Sequence, residues 1–391
     1  MFSDRIAATP QQAATTWAPA FAFVSGCAAA VAAALLSWRR PQPAAATPKA
    51  SWAEDGLLSA LAITGIQELA TPPDVVGPAA DPNSIHRRME LMLRKGQDKI
   101  CRAVEASDGG AKFRSDAWAL PNGAGGGISC VLADGKVWEK AGCNLSVIRG
   151  KMPETALSAA TEKADVYLKN MNHKKGEPVP FFVASLSCVM HPRDPFCPTM
   201  HFNYRYFELD ENNWWFAGGT DITPAYVDEA DMKHFHGTYK KICDKHDKNF
   251  YAKFKKNADE YFMIKHRGET RGLGGIFFDD LNDRSKEDLF KFAEECLMAV
   301  AEAYVPIVDR HKNDKFTEEQ KHWQLIRRGR YAEFNMIYDR GTIFGLKAGG
   351  RIESIMMTIP LMACWEYNHS PAPGSPEEEA LQAFKTPRNW V

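Results

Sequence analysis

Residues Met200 to Glu208, with the sequence MHFNYRYFE, constrain the fold most because polar and aromatic or apolar side chains alternate through most of the segment. Successive side chains of a β-strand point to opposite faces of the sheet. His201, Asn203 and Arg205 therefore share one face, and the aromatic residues between them share the other. The aromatic face suits burial against a core. The polar face is either solvated or binds a ligand that carries carboxylates and exchangeable protons.

Predicted strands occur in neighbouring runs with short turns, whereas predicted helices occur in pairs. The strands are predicted at residues 128–132, 137–148, 181–190, 200–209, 214–222, 275–281 and 331–336. The helices are predicted at residues 85–104, 228–246, 250–266, 285–304 and 318–328, with Ser84 and Ser285 as candidate N-caps. This order is typical of an α+β protein with a large, mainly antiparallel sheet flanked by helices on both faces. It argues against a doubly wound parallel sheet.

The first fifty residues differ in composition from the rest of the chain. No acidic residue occurs between Asp4 and Glu54, and the segment from Trp17 to Trp38 carries no charge. This segment is long enough to cross a bilayer, but it also fits the apolar core of a cleavable targeting signal. We expect residues 1–50 to be a targeting segment, with plastid delivery favoured over mitochondrial delivery and over a retained anchor. A linker is expected at 51–80, followed by one folded domain at 81–391. No stable membrane span is expected in the mature protein that remains after the targeting segment.

Composition argues against several functional classes. The chain has 48 Lys and Arg against 49 Asp and Glu, so no basic field indicates nucleic acid binding. Its nine cysteines form no C-x-x-C pair, which argues against a zinc ribbon, a thioredoxin motif and a disulfide scaffold. The glycines from Gly272 to Gly275 precede a predicted strand and are misplaced for a dinucleotide loop. A nucleotide cofactor is therefore not predicted.

Three further positions carry groups suited to ligand binding. Asp221 follows a glycine pair and suits a ligand rich in N–H donors, although a turn or an N-cap would also place an Asp here. Arg271 lies beside a glycine turn, where a solvated helix end is the alternative. Gly349, Gly350 and Arg351 would bring two backbone N–H groups and a guanidinium to an anion, and an ordinary tight turn is the alternative.

Histidines in the central third of the chain raise the question of a metal. Residues 234 and 236 are both histidine, but residues two apart do not share a face of a helix. A metal site is therefore not indicated by this spacing, although a divalent metal stays open as an alternative.

Five longer segments resemble the oxygen-dependent coproporphyrinogen III oxidase family, and the similarity runs from about residue 80 to Val391. The segments are HFNYRYFE (201–208), WWFAGGTDITP (214–224), YFMIKHRGETRGLGGIFFDDL (261–281), RYAEFNMIYDRGTIFGL (330–346) and GGRIESIMMTIPLMACWEY (349–367). The resemblance implies oxidative decarboxylation of two propionates of coproporphyrinogen III to vinyl groups. The product is protoporphyrinogen IX, on the route to haem and chlorophyll. O2 is the co-substrate, neither flavin, nicotinamide nor metal serves as cofactor, and the protein is a homodimer.

The resemblance also assigns roles to single residues. It places the proton donor on His201, the carboxylate for the pyrrole nitrogens on Asp221, and a site arginine on Arg271. The implied substrate contacts are Ser187, Asn203, Tyr204, Arg205, Gly349, Gly350 and Arg351. One alternative is a tetrapyrrole-binding protein without catalysis. Another is a metal-dependent enzyme that uses the histidines at positions matched by some family members, namely His191, His201, His236 and His266.

Two residues depart from the family pattern. Ala217 stands where a glycine is usual, and we expect it to narrow the approach to Asp221. Cys364 stands where an arginine usually precedes Trp-Glu-Tyr, so any role of that arginine in a dimer or at a propionate must be filled elsewhere.

Overall fold

Alternating strands build one seven-stranded antiparallel sheet in the computed structural model, which describes residues 81–120, 124–347 and 350–391. The strand order is β1-β2-β3-β4-β5-β6-β9, and β7 and β8 form a separate hairpin. The strands are β1 (Arg114–Ala119), β2 (Gly125–Ala133), β3 (Trp138–Met152), β4 (Val179–Pro192), β5 (Thr199–Asp210), β6 (Asn213–Thr223), β7 (Met263–Ile264), β8 (Glu269–Thr270) and β9 (Gly275–Leu281). The segments predicted at 1–50 and 51–80 lie outside the described residues, and so does Gly349.

Eleven helices of the described residues surround this sheet. They are α1 (Ile85–Asp108), α2 (Glu154–Ala160), α3 (Ala164–Asn170), α4 (Glu229–His246), α5 (Phe250–Tyr261), α6 (Lys286–Met298), α7 (Val300–His311), α8 (Glu318–Ile337), α9 (Arg340–Lys347), α10 (Ile352–Met356) and α11 (Pro376–Lys385). The predicted N-caps are confirmed, because the Ser84 hydroxyl accepts from the Arg87 N–H and the Ser285 hydroxyl from the Asp288 N–H.

Helices pack on both faces of the sheet, so the predicted α+β architecture is confirmed. The aromatic face of β5 contributes Phe202, Tyr204 and Tyr206 to the main core, which also contains residues of α1, α4 and α6. On the other face, Phe207 and Trp215 pack in a smaller cluster that includes residues of α2 and α3. The alternation of β5 thus separates a buried aromatic face from a polar face that is only partly covered.

Three secondary-structure predictions were wrong in part or in full. The strand predicted at 331–336 is the last part of α8, whose buried Tyr331 and Phe334 follow helical spacing. The helix predicted at 250–266 ends at Tyr261, because the chain then turns through Gly268 with φ +65° to form the β7–β8 hairpin. The helix predicted at 285–304 is interrupted at Ala299 between α6 and α7.

The absence of a stable membrane span was predicted for the chain after the targeting segment, of which residues 51–80 lie outside the described residues. Within the described ranges, no helix is both long enough and apolar enough to cross a bilayer.

Candidate active site

The polar face of the sheet forms the floor of a cavity that α2, α8, α9 and α10 partly cover. Polar side chains at paired positions of four neighbouring strands form one row across this floor. In register order they are Ser129 of β2, Asn144 of β3, Ser187 of β4 and Asn203 of β5. Three of these four line the cavity, and Ser129 is buried at its edge, where it donates to Asn144 Oδ1 at 2.8 Å.

Gly219 continues this row on β6, opposite Asn203. A Cβ atom at this position would lie 2.2 Å from the carbonyl oxygen of Ile276 on β9, so only glycine fits here without a backbone shift. The row therefore ends on β6 in a position without a side chain, which leaves the floor open beside Asn203.

His201, Asp221 and Arg271 form a hydrogen-bonded cluster at one end of the cavity. His201 and Asp221 are paired residues of β5 and β6, and His201 Nδ1 lies 2.7 Å from Asp221 Oδ1. Arg271 Nη2 lies 2.9 Å from both carboxylate oxygens of Asp221, and its Nε lies 3.2 Å from Oδ2. The sequence placed the His and the Asp as separate candidates, and the sheet register brings them together.

The geometry fixes which nitrogen of His201 can serve a ligand. Arg271 Nη2 is also 3.0 Å from His201 Nδ1, but Nδ1 cannot both accept from Arg271 and donate to Asp221. Donation to the carboxylate is the stronger arrangement, since Arg271 can give its protons to Asp221 instead. Because His201 lines the cavity, Nε2 is then the ring nitrogen left for a bound molecule.

Arg271 is held in place from several directions. Its guanidinium is almost fully buried, stacks 4.1 Å from the ring centre of Phe262, and donates through Nη1 to Asn335 Oδ1 at 2.7 Å. Burial lowers the pKa of the Arg271 guanidinium, but the charge of Asp221, its hydrogen bond to Arg271, and the nearby Tyr331 and Asp339 together more than offset this, so the pKa is raised overall. Arg271 therefore stays charged and is largely committed to protein partners.

Asp221 lies behind His201 and Arg271 and does not itself line the cavity. Its side chain is 2% exposed, and both carboxylate oxygens are bonded to these two neighbours. Pyrrole N–H groups would reach Asp221 only if one of the two neighbours moved.

Two arginines share one carboxylate at the opposite side of the floor. Arg205 of β5 donates through Nη2 to Asp279 Oδ1 at 3.2 Å, and Arg340 of α9 donates to Asp279 Oδ2 at 2.9 Å. Both arginines line the cavity. Arg340 was not among the residues predicted from the sequence, although it lies within the segment RYAEFNMIYDRGTIFGL.

Arg351 lies at the far edge of the cavity, where it pairs with Asp116 of β1 and donates to Ser354 Oγ at 3.3 Å. Gly350 also lines the cavity, whereas the predicted contact at Gly349 lies outside the described residues. Tyr204 is different, because its side chain points to the opposite face and its hydroxyl lies 2.7 Å from Thr220 Oγ1. Of the predicted substrate contacts, Ser187, Asn203, Arg205, Gly350 and Arg351 are thus brought to one cavity.

Comparison with known proteins identifies the family. A sequence model described as "Coproporphyrinogen III oxidase" matches residues 88–390. The chain belongs to the coproporphyrinogen III oxidase family. Its relatives include coproporphyrinogen-III oxidase 1, chloroplastic, of Arabidopsis thaliana, which is 54% identical over 326 residues, or 81% of this chain and 82% of the relative.

Other relatives of this family cover similar shares of the chain. The oxygen-dependent coproporphyrinogen-III oxidase, chloroplastic, of Glycine max is 49% identical over 384 residues, which are 95% of this chain and 97% of the relative. The oxygen-dependent coproporphyrinogen-III oxidase, mitochondrial, of Homo sapiens is 50% identical over 315 residues, or 79% of this chain and 68% of the relative. The resemblance inferred from the sequence motifs is confirmed.

The two departures from the coproporphyrinogen III oxidase pattern lie away from His201 and Asp221. Ala217 is paired with Arg205 and lies four positions before Asp221 on β6, or about 13 Å of extended strand. Its methyl group is buried in the smaller apolar cluster beside α2 and α3. Cys364 packs beside the main core, and its N–H donates to the Leu325 carbonyl at 2.9 Å. It does not line the cavity.

The histidines of the metal-dependent alternative do not form a shared ligand set among the described residues. His191 Nε2 lies 2.9 Å from the Thr358 carbonyl, and His236 Nε2 lies 3.1 Å from the Leu273 carbonyl. His266 is bonded to Tyr338 and Glu333. Potential ligand atoms of the described residues converge elsewhere, at Asp228, Asp231 and His311, where Asp231 also pairs with Arg310.

Several residues of the floor were missed by sequence reasoning. Asn144, Ser146 and Ser185 line the cavity, and Asn144 Nδ2 donates to Ser146 Oγ at 2.9 Å. Period-two alternation within β3 and β4 was the available signal, because polar residues two apart share a face. That signal could not select which face of β3 meets the cavity, because the register with β4 is a tertiary property.

Proposed function

We propose that this protein is an oxygen-dependent coproporphyrinogen III oxidase. Two propionate side chains of coproporphyrinogen III become vinyl groups, giving protoporphyrinogen IX. For each propionate, the Cα–carboxylate bond breaks to release CO2, and a hydrogen leaves the β-carbon next to the ring. The two electrons and two protons released per side chain reduce one O2 to H2O2, so the reaction balances without a further oxidant.

The observation that carries this proposal is one cavity with four arginines, a positioned imidazole and a polar floor. Arg205, Arg271, Arg340 and Arg351 all line it, and a substrate with four carboxylates needs such cations. Four strand spacings separate β2 from β6, which makes the floor about 19 Å wide between the Ser129 and Gly219 positions. A tetrapyrrole with extended side chains can lie across a floor of this width.

We assign the proton-handling role to His201, with Nε2 directed to the substrate. Asp221 acts through its neighbours, because it fixes the tautomer of His201 and the position of Arg271. A histidine oriented by a buried carboxylate is suited to transfer protons near neutral pH. Arg205, Arg340 and Arg351 then hold propionates, while Ser187 and Asn203 contact the macrocycle. These roles replace the simpler expectation that pyrrole N–H groups bind Asp221 directly.

The electron source for O2 in this proposal is the substrate itself. A porphyrinogen is an electron-rich macrocycle that is easily oxidised, so a flavin, a nicotinamide or a metal is not needed for the electron balance. Full turnover after treatment with a strong chelator, together with metal analysis of the purified protein, would support this. Loss of turnover that returns with a divalent metal would favour the metal-dependent alternative.

The decisive experiment supplies coproporphyrinogen III to the purified protein, with and without O2, and measures the divinyl product. We expect protoporphyrinogen IX only with O2, together with H2O2 and CO2. His201→Gln should keep affinity for coproporphyrin within about threefold and lower turnover by about 10²- to 10⁴-fold, the usual contribution of a positioned acid–base group. Tight binding without any divinyl product in the parent protein would instead indicate a non-catalytic tetrapyrrole-binding protein.

We further propose that the protein is a homodimer that uses the segment 336–367. Eight of the twelve exposed large apolar side chains of the described residues lie in this segment, including Leu361, Trp365 and Tyr367. Such a concentration of exposed apolar side chains is typical of an interface.

We also propose that the protein is delivered to a plastid. Relatives from Arabidopsis thaliana, Glycine max and Nicotiana tabacum carry the word chloroplastic in their names, whereas those from rat and human carry mitochondrial. The acid-free N-terminal segment fits either organelle. A fusion of residues 1–80 to a fluorescent protein would decide, and import into mitochondria alone would contradict the plastid assignment.

A further inference from the structure

Asp279 offers two cavity arginines the same kind of group, a carboxylate, that a substrate propionate would offer them. Arg205 Nη2 and Arg340 Nη2 donate to its two oxygens at 3.2 and 2.9 Å, and the Asp280 N–H donates to Oδ1 at 3.0 Å. The Asp279 side chain is 9% exposed and does not itself line the cavity, whereas both arginines do. The carboxylate therefore holds the two guanidiniums from behind.

A bulge in β9 places this carboxylate. Phe216 pairs with Leu281 and Gly218 pairs with Phe278, so β9 has one more residue than β6 between these two pairs. Asp280 adopts φ +50° at this point, a conformation that a non-glycine residue seldom adopts. Bulges redirect side chains at the edges of sheets, and here Asp279 and Asp280 both lie on the face of the sheet that carries the cavity.

The four arginines that line the cavity are not all paired with a carboxylate of their own. Arg271 pairs with Asp221, and Arg351 pairs with Asp116, but Arg205 and Arg340 share Asp279. Arg340 also contacts Glu162, whose side chain is 83% exposed, so solvent screens that contact strongly. Arg205 and Arg340 thus share one buried carboxylate where they meet the cavity.

We propose that Asp279 competes with a substrate propionate for Arg205 and Arg340, the two arginines that it holds at the cavity. This inference rests on the proposed function. A bound propionate takes over donors of both arginines, and their bonds to Asp279 are weakened. When decarboxylation converts that propionate into a vinyl group, the arginines lose their ligand and return to Asp279. The exchange favours carboxylate-bearing side chains and releases the reacted one.

The test compares two stable, unreactive porphyrins that differ in carboxylate number. Coproporphyrin III carries four propionates and protoporphyrin IX carries two, and the dissociation constant of each is measured by fluorescence. Asp279→Asn removes the competing charge, so we expect coproporphyrin III to bind about tenfold more tightly, the effect of one close ion pair. The affinity for protoporphyrin IX should change less. Weaker binding of coproporphyrin III, or equal changes for both porphyrins, would overturn the proposal.

A second variant keeps the proposal falsifiable if Asp279→Asn does not fold. Arg340→Gln should weaken the binding of coproporphyrin III by about tenfold or more and the binding of protoporphyrin IX by less than about threefold. Equal losses for both porphyrins would instead indicate a structural role and overturn the assignment. Glu162→Gln is the matched control, since it removes only the exposed partner of Arg340 and should change neither affinity by more than about twofold.

These binding measurements are independent of the chemistry. If the parent protein forms no divinyl product, the proposed function fails, whatever the affinities of the variants. If the parent protein is active and the two porphyrins respond equally to both variants, the role of Asp279 and Arg340 fails while the proposed function stands.

Discussion

Neutralising Asp221 is the perturbation whose result follows most directly from the structure. Asp221→Asn keeps the size of the side chain but removes the charge that pairs with Arg271, whose guanidinium is 1% exposed. It also replaces the group that receives the His201 Nδ1 proton with an amide that can donate or accept. Stability and turnover should therefore fall together, for two separate reasons.

The size of the stability loss can be worked from the burial of the pair. Removing one partner of a buried ion pair leaves an uncompensated charge and costs about 3–5 kcal/mol. The rings of Phe262, Tyr331 and Phe334 lie 4.1–4.8 Å from the Arg271 guanidinium carbon and still stabilise the cation. We therefore expect a loss near 3 kcal/mol, a large share of the roughly 5–15 kcal/mol that stabilises a domain.

A double variant separates the stability loss from the loss of activity. Asp221→Asn combined with Arg271→Met removes both charges, and replacing a whole buried pair is often nearly neutral. The double variant should recover most of the lost free energy of unfolding, so the losses of the single variants Asp221→Asn and Arg271→Met should not add. Turnover should stay about 10²- to 10⁴-fold below the parent, because His201 is still unoriented.

The assays are urea unfolding, followed by circular dichroism, and turnover of coproporphyrinogen III. Asp116→Asn is the matched control, since it removes a 44% exposed carboxylate from the far edge of the same cavity and should cost less than about 1 kcal/mol. If the two single losses simply add in the double variant, the buried pair is not coupled and the reasoning is refuted. Normal turnover of Asp221→Asn would refute the role assigned to its contact with His201.

Two further predictions concern pH and association. Burial lowers the pKa of His191 and of His236 to about 3, so between pH 6.5 and pH 3 only the unfolded chain gains these protons and stability falls as pH decreases. From pH 7 to pH 5 each of these two histidines should lower the free energy of unfolding by about 2 kcal/mol. His236→Gln should make the free energy of unfolding less dependent on pH, whereas the control His234→Gln on the exposed surface should not. An unchanged pH dependence in both variants would contradict the argument. Leu361→Glu, at a side chain that is 63% exposed, should convert the proposed dimer into a monomer in light scattering, whereas Val166→Glu, 55% exposed on α3, should leave the mass unchanged. A Leu361→Glu protein that remains a dimer would place the interface elsewhere.

Local sequence determined those parts of the fold in which one pattern dominates. The alternation at 200–209 predicted β5 and the separation of its two faces, because the face of a strand side chain depends only on its position along the chain. The N-caps at Ser84 and Ser285 were also readable, since a cap forms with residues two or three positions away. Local patterns failed at 331–336, where alternation and helical spacing fit the same six residues and the preceding turns of α8 decided.

The candidate site depended on the tertiary structure for its contacts. The sequence motifs named His201, Asp221 and Arg271, but the pairing of β5 with β6 and the burial of Arg271 decided that Asp221 faces its two neighbours and not the cavity. Asp279 and Arg340, 61 residues apart, meet because a bulge in β9 and the path of α9 bring them together. Periodicity tells which face of its own element a residue occupies, whereas the partner of a charge depends on register and packing between distant segments.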